Sequence, residues 1–296
     1  MTLHELFIKA SAFLKSNHVE DPSLEAGLLL SWVLCRELGF IYANPDFIPT
    51  PQQIESFWSA VERRSRHDPF AYITGECEFL ALSFKVNPHV LIPRPDTELL
   101  AESALKAMGK PTPFFTQPMF ELTEKNDYRV LDVGTGSGCL AVSLAKYASC
   151  WVDAVDISKD ALETAKANAV AHHVSERVRF VLADFLTETS GLTPPYDLIV
   201  SNPPYIPSGD INGLMASVKD FEPYGALAGG EDGLDFYRAL AEQAQELLAP
   251  QGIIAVECGF DQAIKIQALF AQKGMETLLL KDLSGINRVV VSRRQV

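Results

Sequence analysis

The chain has 296 residues, enough for two ordinary domains, and its 47% hydrophobic content allows a buried core in each. Its formal net charge of −13 disfavours nucleic acid as the main partner, because an acidic surface repels phosphates. Its five scattered cysteines form no Cys-x-x-Cys pair and therefore give no signal for a zinc site or a disulfide framework.

The first 70 residues predict a small helical domain, because apolar residues recur at helical spacing from Leu3 onward. Pro22 opens a second predicted helix, and Pro51 follows Thr50 at the start of a third. We interpret the aromatic residues of this domain as core: Phe13, Trp32, Phe57 and Trp58. The chain starts with no basic segment before an apolar run, so we expect no signal peptide, no membrane span and a cytoplasmic protein.

Residues 71–95 predict a β-hairpin that links this domain to the rest of the chain, because aromatic and β-branched residues alternate there. Two prolines then frame Arg94 and hold the backbone extended until a helix begins, with Asp96 or Thr97 as its cap. Two interpretations of Arg94 stay open. It is a surface residue of the linker, or it lies over the mouth of an active site and contacts a substrate.

Residues 96–296 predict an α/β domain with a doubly wound, mostly parallel sheet of seven strands. A loop is expected from Lys110 to Asp127, where Pro111, Pro113 and Pro118 occur among polar residues. Apolar runs predict strands at 129–133, 151–155, 177–183, 196–201, 252–257, 277–281 and 288–292, of which the last two form an antiparallel pair.

The first strand leads into a glycine turn, Gly134-Thr135-Gly136-Ser137-Gly138. A dinucleotide site would place its third glycine at position 139, but Cys139 stands there, so the spacing favours the related nucleoside site of methyltransferases. Asp156 ends the second strand 22 residues beyond Gly134, where an acid can hold ribose hydroxyls.

Polar groups also end the next two strands. Asp184 and Phe185 follow the third and suit the amino group and ring face of an adenine. The fourth is followed by Asn202-Pro203-Pro204-Tyr205, a rigid turn in which Asn202 and the Pro203 carbonyl offer two acceptors to an –NH2 group. Because the carboxyl ends of parallel strands meet at one edge, these groups are expected to share one crevice.

The chain resembles the HemK-type protein-(glutamine-N(5)) methyltransferases over nearly its whole length. The resemblance rests on the segments 70–75, 91–98, 132–138, 201–207, 222–223 and 229–238. The tetrapeptide alone is not specific, since nucleic-acid adenine methyltransferases share it. The proline-framed arginine segment and Gly229-Gly230-Glu231-Asp232-Gly233-Leu234 are more selective.

The resemblance implies transfer of a methyl group from S-adenosylmethionine to the glutamine amide in the Gly-Gly-Gln motif of peptide chain release factors. S-adenosylhomocysteine would be the product, and no metal would take part. It assigns cofactor contact to Gly134, Thr135, Gly136, Ser137, Gly138, Asp156, Phe185 and Asn202. We add Asp132 and Asp184 from their positions at strand ends.

For the chemistry itself we predict that Asn202 and Pro203 orient the acceptor amide and that Tyr205 packs against it, with Pro204 completing the substrate contact. Two other enzymatic functions are weighed. One is methylation of a ribosomal-protein glutamine, and the other is methylation of a nucleic-acid adenine, which the acidic charge and the lack of a Lys/Arg run disfavour. A non-enzymatic scaffold that keeps a nucleoside site is a third alternative. The protein is expected to act as a monomer.

Overall fold

The computed structural model describes residues 1–112 and 115–295. These residues form two compact units. The first unit contains Met1–Gly75 together with Met215–Phe221, and the second contains the rest of the described chain. Pro113 and Phe114, part of the predicted loop 110–127, lie outside the described residues.

The first unit is helical. Its helices are α1 (Leu3–Ser16), α2 (Pro22–Leu34), α3 (Leu38–Ala43), α4 (Pro51–Ser65), α5 (Phe70–Thr74) and the short α9 (Ala216–Lys219). The core of α1, α2 and α4 consists of fully buried apolar side chains such as Leu6, Leu29 and Phe57. Burial of these side chains on one face of each helix supplies the main driving force for the unit.

Two of these helices begin at capping boxes. Thr2 and Thr50 each accept a hydrogen bond from the backbone three residues on, while Glu5 and Gln53 reach back to the cap. These reciprocal bonds satisfy N–H groups that the first helical turn leaves without partners. The predicted start of α4 at Thr50-Pro51 is confirmed.

Two expectations for this region were wrong. Phe70–Thr74 forms a helical turn rather than part of the hairpin; two consecutive side chains, Tyr72 and Ile73, are buried in it, which differs from the alternating burial of a strand. Phe13 and Trp32 are 39% and 41% exposed, whereas Phe57 is buried as expected. Position on an amphipathic helix, and not aromatic character, decided which rings entered the core.

The second unit begins with the predicted hairpin, β1 (Glu76–Phe79) and β2 (Leu82–Lys85), which pair antiparallel. The helices that follow are α6 (Pro95–Ala107), α7 (Cys139–Ala148), α8 (Lys159–Ala171), α10 (Asp235–Leu247) and α11 (Ala263–Gln272). The remaining strands are β3 (Arg129–Val133), β4 (Trp151–Asp156), β5 (Val178–Leu182), β6 (Tyr196–Ser201), β7 (Leu248–Glu257), β8 (Met275–Lys281) and β9 (Asn287–Arg294).

Within the described residues these last strands form one seven-stranded sheet in the order β5-β4-β3-β6-β7-β9-β8. β3 pairs in parallel with both β4 and β6, while β9 runs antiparallel to β7 and β8. The predicted doubly wound sheet with an antiparallel closing pair is confirmed. The chain first builds the sheet outward from β3 toward β5 and then crosses back to add β6, so the strand order reverses between β3 and β6.

Both faces of the sheet are buried, which explains the nearly continuous apolar runs in its strands. Val130 of β3, Leu198 of β6 and Ala255 of β7 face the layer of α6, α7 and α8. Their neighbours Leu131 and Ile199 face the opposite layer, which contains α10 and α11. Alternate residues of each strand therefore enter different cores, as the pleat requires.

The described part of the predicted loop 110–127 contains no helix or strand. It is nevertheless anchored, because Phe115 and Phe120 are buried and Gln117 exchanges two 2.8 Å hydrogen bonds with the backbone of Lys281. Those bonds use backbone groups at the outer edge of β8. Unpaired backbone groups at such an edge can otherwise pair with a strand of another chain.

None of the helices in residues 1–112 and 115–295 has the length and apolar character needed to cross a membrane.

Candidate functional site

A cavity of about 350 Å³ lies at the carboxyl ends of β3, β4 and β6, beside the point where the strand order reverses. Register brings the last residues of these strands into one row, since Val133 pairs with both Val155 and Ser201. The predicted site residues that line this cavity are Gly134, Thr135, Gly136, Ser137, Asp156, Asp184, Phe185, Asn202 and Pro204. The structure thus brings together residues from four strand ends that are as much as 70 positions apart.

The glycine turn presents open backbone to the cavity. Gly134 and Gly136 have φ angles of +74° and +55°, which disfavour a side chain, and the space where a Cβ would stand at Gly134 is empty. The backbone N–H of Gly136 donates to Asp156 Oδ2 at 2.8 Å. The turn is therefore held in a shape that lets a ligand approach the main chain closely.

Asp156 holds the glycine turn and the start of α8, and it keeps capacity to bind a ligand. Its Oδ1 accepts from the Ser158 N–H at 2.9 Å, at the start of α8, where the Ser158 hydroxyl acts as the helix cap. Burial raises the pKa of Asp156, although its backbone hydrogen bonds oppose the shift. Because each carboxylate oxygen can accept more than one hydrogen bond, both oxygens retain capacity for ligand hydroxyls.

Two of the predicted cofactor residues, Asp132 and Gly138, do not line the cavity. Asp132 is 1% exposed and lies behind the turn, where its Oδ2 accepts from the Thr135 hydroxyl at 2.7 Å and from the Ala141 N–H at 3.2 Å. Ala141 is in the first turn of α7, whose cap position, Gly138, has no side chain. Asp132 therefore accepts a hydrogen bond from a backbone N–H that the first turn of α7 leaves without a helical partner. Burial raises the pKa of Asp132 to about 7.

Gly138 is required by packing. It has φ of +79°, and a Cβ there would lie 2.9 Å from the Ala165 Cβ of α8. The glycine lets α7 and α8 approach each other and fixes where the turn before α7 can lie.

Asp184 and Phe185 lie together at the end of β5. Asp184 Oδ1 accepts from the Leu186 N–H at 3.0 Å, and the buried Phe185 is fixed through its carbonyl by Gln243. Both residues line the cavity, so an aromatic residue and an acidic residue occur side by side there.

Asn202 lines the cavity. Its Nδ2 donates to the Thr97 hydroxyl at 3.0 Å, whereas its Oδ1 is buried and has no hydrogen-bond partner among the described residues. A buried carbonyl oxygen without a partner is costly unless a ligand completes it. Asn202 is therefore arranged to receive an N–H donor.

Of the other residues in the tetrapeptide, Pro204 lines the cavity, while Pro203 and Tyr205 do not. Burial raises the pKa of the Tyr205 hydroxyl to about 12. The segment is held by the loop after it, since the backbones of Ile206 and Gly229 are hydrogen-bonded at 2.9 Å. A Cβ on Gly229 would lie 2.6 Å from the Pro204 carbonyl, so this close approach requires glycine.

Gln262, at the N-cap position before α11, fixes the same segment. The side chain is 4% exposed; its Nε2 donates to the Tyr205 carbonyl at 2.8 Å, and its Oε1 accepts from the Gly259 N–H at 3.0 Å. This one amide thus satisfies backbone groups on two loops that border the tetrapeptide.

We expect Gln262→Leu to lower the free energy of unfolding by about 2–3 kcal/mol, because it leaves a buried carbonyl and a buried N–H without partners. Urea denaturation measures the change. Gln267→Leu, at a half-exposed position of α11, is the matched control and should change stability by less than about 0.5 kcal/mol. Equal losses in the two variants would contradict the assigned role.

Arg94 forms an ion pair with Glu222, whose side chain is almost fully buried, at 2.5 Å. Arg94 itself does not line the cavity, but Pro223, beside its partner, does. Burial raises the pKa of Glu222, and the attraction of Arg94 opposes that shift. Arg94 thus links the segment before α6 to a loop that borders the cavity.

Several cavity residues were missed by sequence reasoning. They include Leu91, Pro93, Thr97, Ile157, Pro223 and Phe236. Ile157 gives a usable signal, because an apolar side chain that is 67% exposed directly follows the acid at the end of β4. Thr97 and Phe236 give none, since their place in the cavity depends on how distant helices pack.

The residues present fit a nucleoside-containing donor. Gly134 and Gly136 with their open main chain, Asp156 with its spare acceptor capacity and the aromatic residue Phe185 line one cavity. No group of three or more potential metal ligands occurs in the part of the chain that the structure describes.

Comparison with known proteins gives two family matches, "PrmC N-terminal domain" over residues 5–75 and "Methyltransferase small domain" over residues 115–217. A release factor glutamine methyltransferase of Clostridium acetobutylicum is 37% identical and covers 99% of both chains. One from Moorella thermoacetica is 38% identical and covers 100% of this chain and 99% of its own. A solved release-factor-specific protein-(glutamine-N5) methyltransferase from Alicyclobacillus acidocaldarius is 34% identical, covers 72% of this chain and all of its own, and has a TM-score of 0.42.

Proposed function

We infer, because the chain belongs to the family of release factor glutamine methyltransferases, that it transfers the methyl group of S-adenosylmethionine to a side-chain amide in a peptide chain release factor. The acceptor is the glutamine of the Gly-Gly-Gln motif. The observation that carries this function is the buried Oδ1 of Asn202, which has no hydrogen-bond partner among the described residues; Asn202 lines the cavity, and an amide N–H would complete this acceptor.

For the donor, we assign binding to the glycine turn, Asp156, Asp184 and Phe185. The main chain at Gly134 and Gly136 leaves room for close contact, Asp156 can accept ribose hydroxyls, and Phe185 offers a ring face to the adenine. Asp132 and Gly138 support the turn from behind, so we assign them an indirect part in binding.

Amide nitrogen is a weak nucleophile, because its lone pair is delocalised into the carbonyl. In the reaction the N–C bond forms while the methyl–sulfur bond breaks, and the electron pair of the broken bond stays on sulfur. The products are S-adenosylhomocysteine and the methylated amide, which loses one N–H proton to water. Asn202 Oδ1 accepts one amide N–H and so directs the nitrogen toward the methyl group. As positive charge grows on nitrogen, this bond strengthens, and the gain is specific to the transition state.

We propose the Pro203 carbonyl as the second acceptor and Tyr205 as the ring beside the flat amide. Support comes from the backbone bonds of the Gly229 loop and from Gln262, which together hold this segment. Arg94 is proposed to act on the substrate through the loop that follows Glu222, to which it is paired.

The domain limits remain a prediction: a recognition domain at 1–70, a hairpin linker at 71–95 and a methyltransferase domain at 96–296. We propose that the helical domain recognises the release factor. We further propose a monomeric, cytoplasmic enzyme that binds no nucleic acid directly, in keeping with a net charge of −13.

The test is methyl transfer from labelled S-adenosylmethionine to a purified release factor, with the motif glutamine changed to alanine in a control factor. We expect label on the unchanged factor and none on the control. Label on a ribosomal protein or on DNA, with the factor unlabelled, would contradict the assigned acceptor.

A further inference from the structure

Asn168 is a fully buried carboxamide on α8 that the proposed mechanism does not use. Its side chain makes three hydrogen bonds, all to main-chain groups. Oδ1 accepts from the Lys85 N–H at 2.8 Å, while Nδ2 donates to the Lys85 carbonyl at 3.0 Å and to the Ser137 carbonyl at 2.8 Å. One side chain therefore joins two segments that are far apart in the sequence.

Both segments form walls of the cavity assigned to the methyl donor. Ser137 belongs to the glycine turn and lines the cavity itself. Lys85 ends β2 and begins residues 85–93, which we call the wall segment. This segment lines the cavity through His89, Val90, Leu91 and Pro93. Asn168 is not among the lining residues, so its effect on a ligand must pass through these two walls.

The three partners explain why this position needs a carboxamide. Two carbonyl groups and one N–H face the side chain, which must therefore supply two donors and one acceptor. A carboxamide has both kinds of group, whereas an ionised carboxylate of the same shape can only accept. With aspartate here, a carboxylate oxygen would face two carbonyl oxygens, and both of those would be left without a donor.

Two further contacts attach the wall segment to α8. Asn87 Nδ2 donates to the Thr164 hydroxyl at 2.9 Å, and His89 Nδ1 lies 3.8 Å from Asp160 Oδ2. Together with Asn168, these α8 residues lie at intervals of four and therefore share one face of the helix. They contact every second residue of the wall segment, from the end of β2 to its first residue that lines the cavity.

We propose that Asn168 is a positioning residue for the methyl donor, because it ties the wall segment to the glycine turn and so preforms the cavity between them. The proposal rests on the proposed function, which identifies the ligand of this cavity as S-adenosylmethionine. If the two walls could move independently, binding would have to order them, and the cost of that ordering would weaken the affinity for the donor.

Asn168→Leu removes all three bonds at similar volume, and Asn168→Asp keeps the shape but removes both donors. In each variant we expect the Kd for S-adenosylmethionine, measured by calorimetric titration, to rise about tenfold or more. With the release factor as acceptor, KM for the donor should rise in parallel, while kcat at saturating donor stays within about threefold. A merely structural role would instead reduce the folded fraction, which lowers kcat and leaves KM unchanged, and that result would overturn the proposal.

Gln262→Leu is the matched control for these titrations. It also removes a buried amide that bonds two backbone segments, but those segments border the acceptor tetrapeptide. Its donor Kd should therefore stay within about threefold of the natural value. Equal losses of donor affinity in Gln262→Leu and Asn168→Leu would show a general effect of lost stability and would refute the role of Asn168.

Thr164 allows a milder test, which does not depend on whether the Asn168 variants fold. Thr164→Val removes the hydroxyl that anchors Asn87 at nearly constant shape, and Thr164→Ser retains it. We expect the donor Kd to rise about three- to tenfold in Thr164→Val and less than about twofold in Thr164→Ser. An unchanged Kd in Thr164→Val, or an equal rise in both variants, would overturn the role of the wall segment on which the proposal depends.

The titrations need no release factor, so the two proposals can fail separately. If the variants lose donor affinity as expected but the natural enzyme labels no release factor, the assigned acceptor falls and the positioning role stands. If the natural enzyme methylates the factor but folded Asn168 variants bind the donor within twofold of the natural Kd, the positioning role falls alone. A natural protein that binds no S-adenosylmethionine would refute both.

Discussion

Asn202→Ala is expected to reduce kcat for methyl transfer to the release factor at least a hundredfold. The substitution removes a buried acceptor oxygen that has no partner among the described residues, on a residue that lines the cavity. Loss of a single group that stabilises developing charge in a preorganised site typically costs about 10²–10³ in kcat. Affinity for S-adenosylmethionine should stay within about threefold, because the donor is assigned mainly to the ends of β3, β4 and β5.

Single-turnover kinetics with labelled donor measure the effect, and calorimetric titration measures donor affinity. Asn126→Ala, an exposed position in the loop before β3, is the matched control and should leave both unchanged. The unfolding temperature shows whether each variant is folded. Turnover near that of the natural enzyme in a folded Asn202→Ala variant would remove Asn202 from the mechanism.

Gly138→Ala is expected to lower the free energy of unfolding by about 2–5 kcal/mol. Two costs combine. A side chain at φ of +79° costs about 1–2 kcal/mol, and a Cβ 2.9 Å from the Ala165 Cβ forces α7 and α8 apart for about 1–3 kcal/mol more. The displaced turn should also weaken donor binding, because Gly134 and Gly136 precede α7 directly.

Gly274→Ala separates these two costs. Gly274 has φ of +73°, but no atom lies within 4 Å of the position that its Cβ would take. Urea denaturation should therefore show only the conformational cost in this control, about 1–2 kcal/mol. If Gly138→Ala and Gly274→Ala lower the free energy of unfolding equally, the close packing of α7 on α8 adds nothing to the cost of the substitution at Gly138.

The strands of the sheet could be predicted well, because each is an apolar run of strand length bounded by turn residues. The predicted strand 129–133 agrees with the observed β3, and Ser158 caps α8 as expected of a hydroxyl before a helix. Phe70–Thr74 and Leu38–Ala43 could not be assigned so easily. Both are short apolar segments, for which the pattern does not distinguish a helical turn from a strand or an irregular link.

The candidate site was predictable where it depends on strand ends. A parallel sheet forces Gly134, Asp156 and Asn202 to one edge, so chain order alone brings them together. Thr97 illustrates what sequence cannot provide. It lies 105 positions from Asn202, and the expectation that it or Asp96 caps α6 was wrong, since Arg94 occupies the cap position without a side-chain bond. Only the packing of α6 against the sheet directs its hydroxyl to Asn202.

The crossover between β3 and β6 divides the enzyme's two tasks along the chain. The stretch from β3 to Phe185 carries most of the groups assigned to the methyl donor, and the stretch from Asn202 to Tyr205 carries most of those assigned to the acceptor. Substitutions in the later stretch are therefore expected to affect the choice of nucleophile more than the binding of the donor. This separation allows the later, acceptor-binding stretch to change in evolution while the earlier stretch continues to bind the methyl donor.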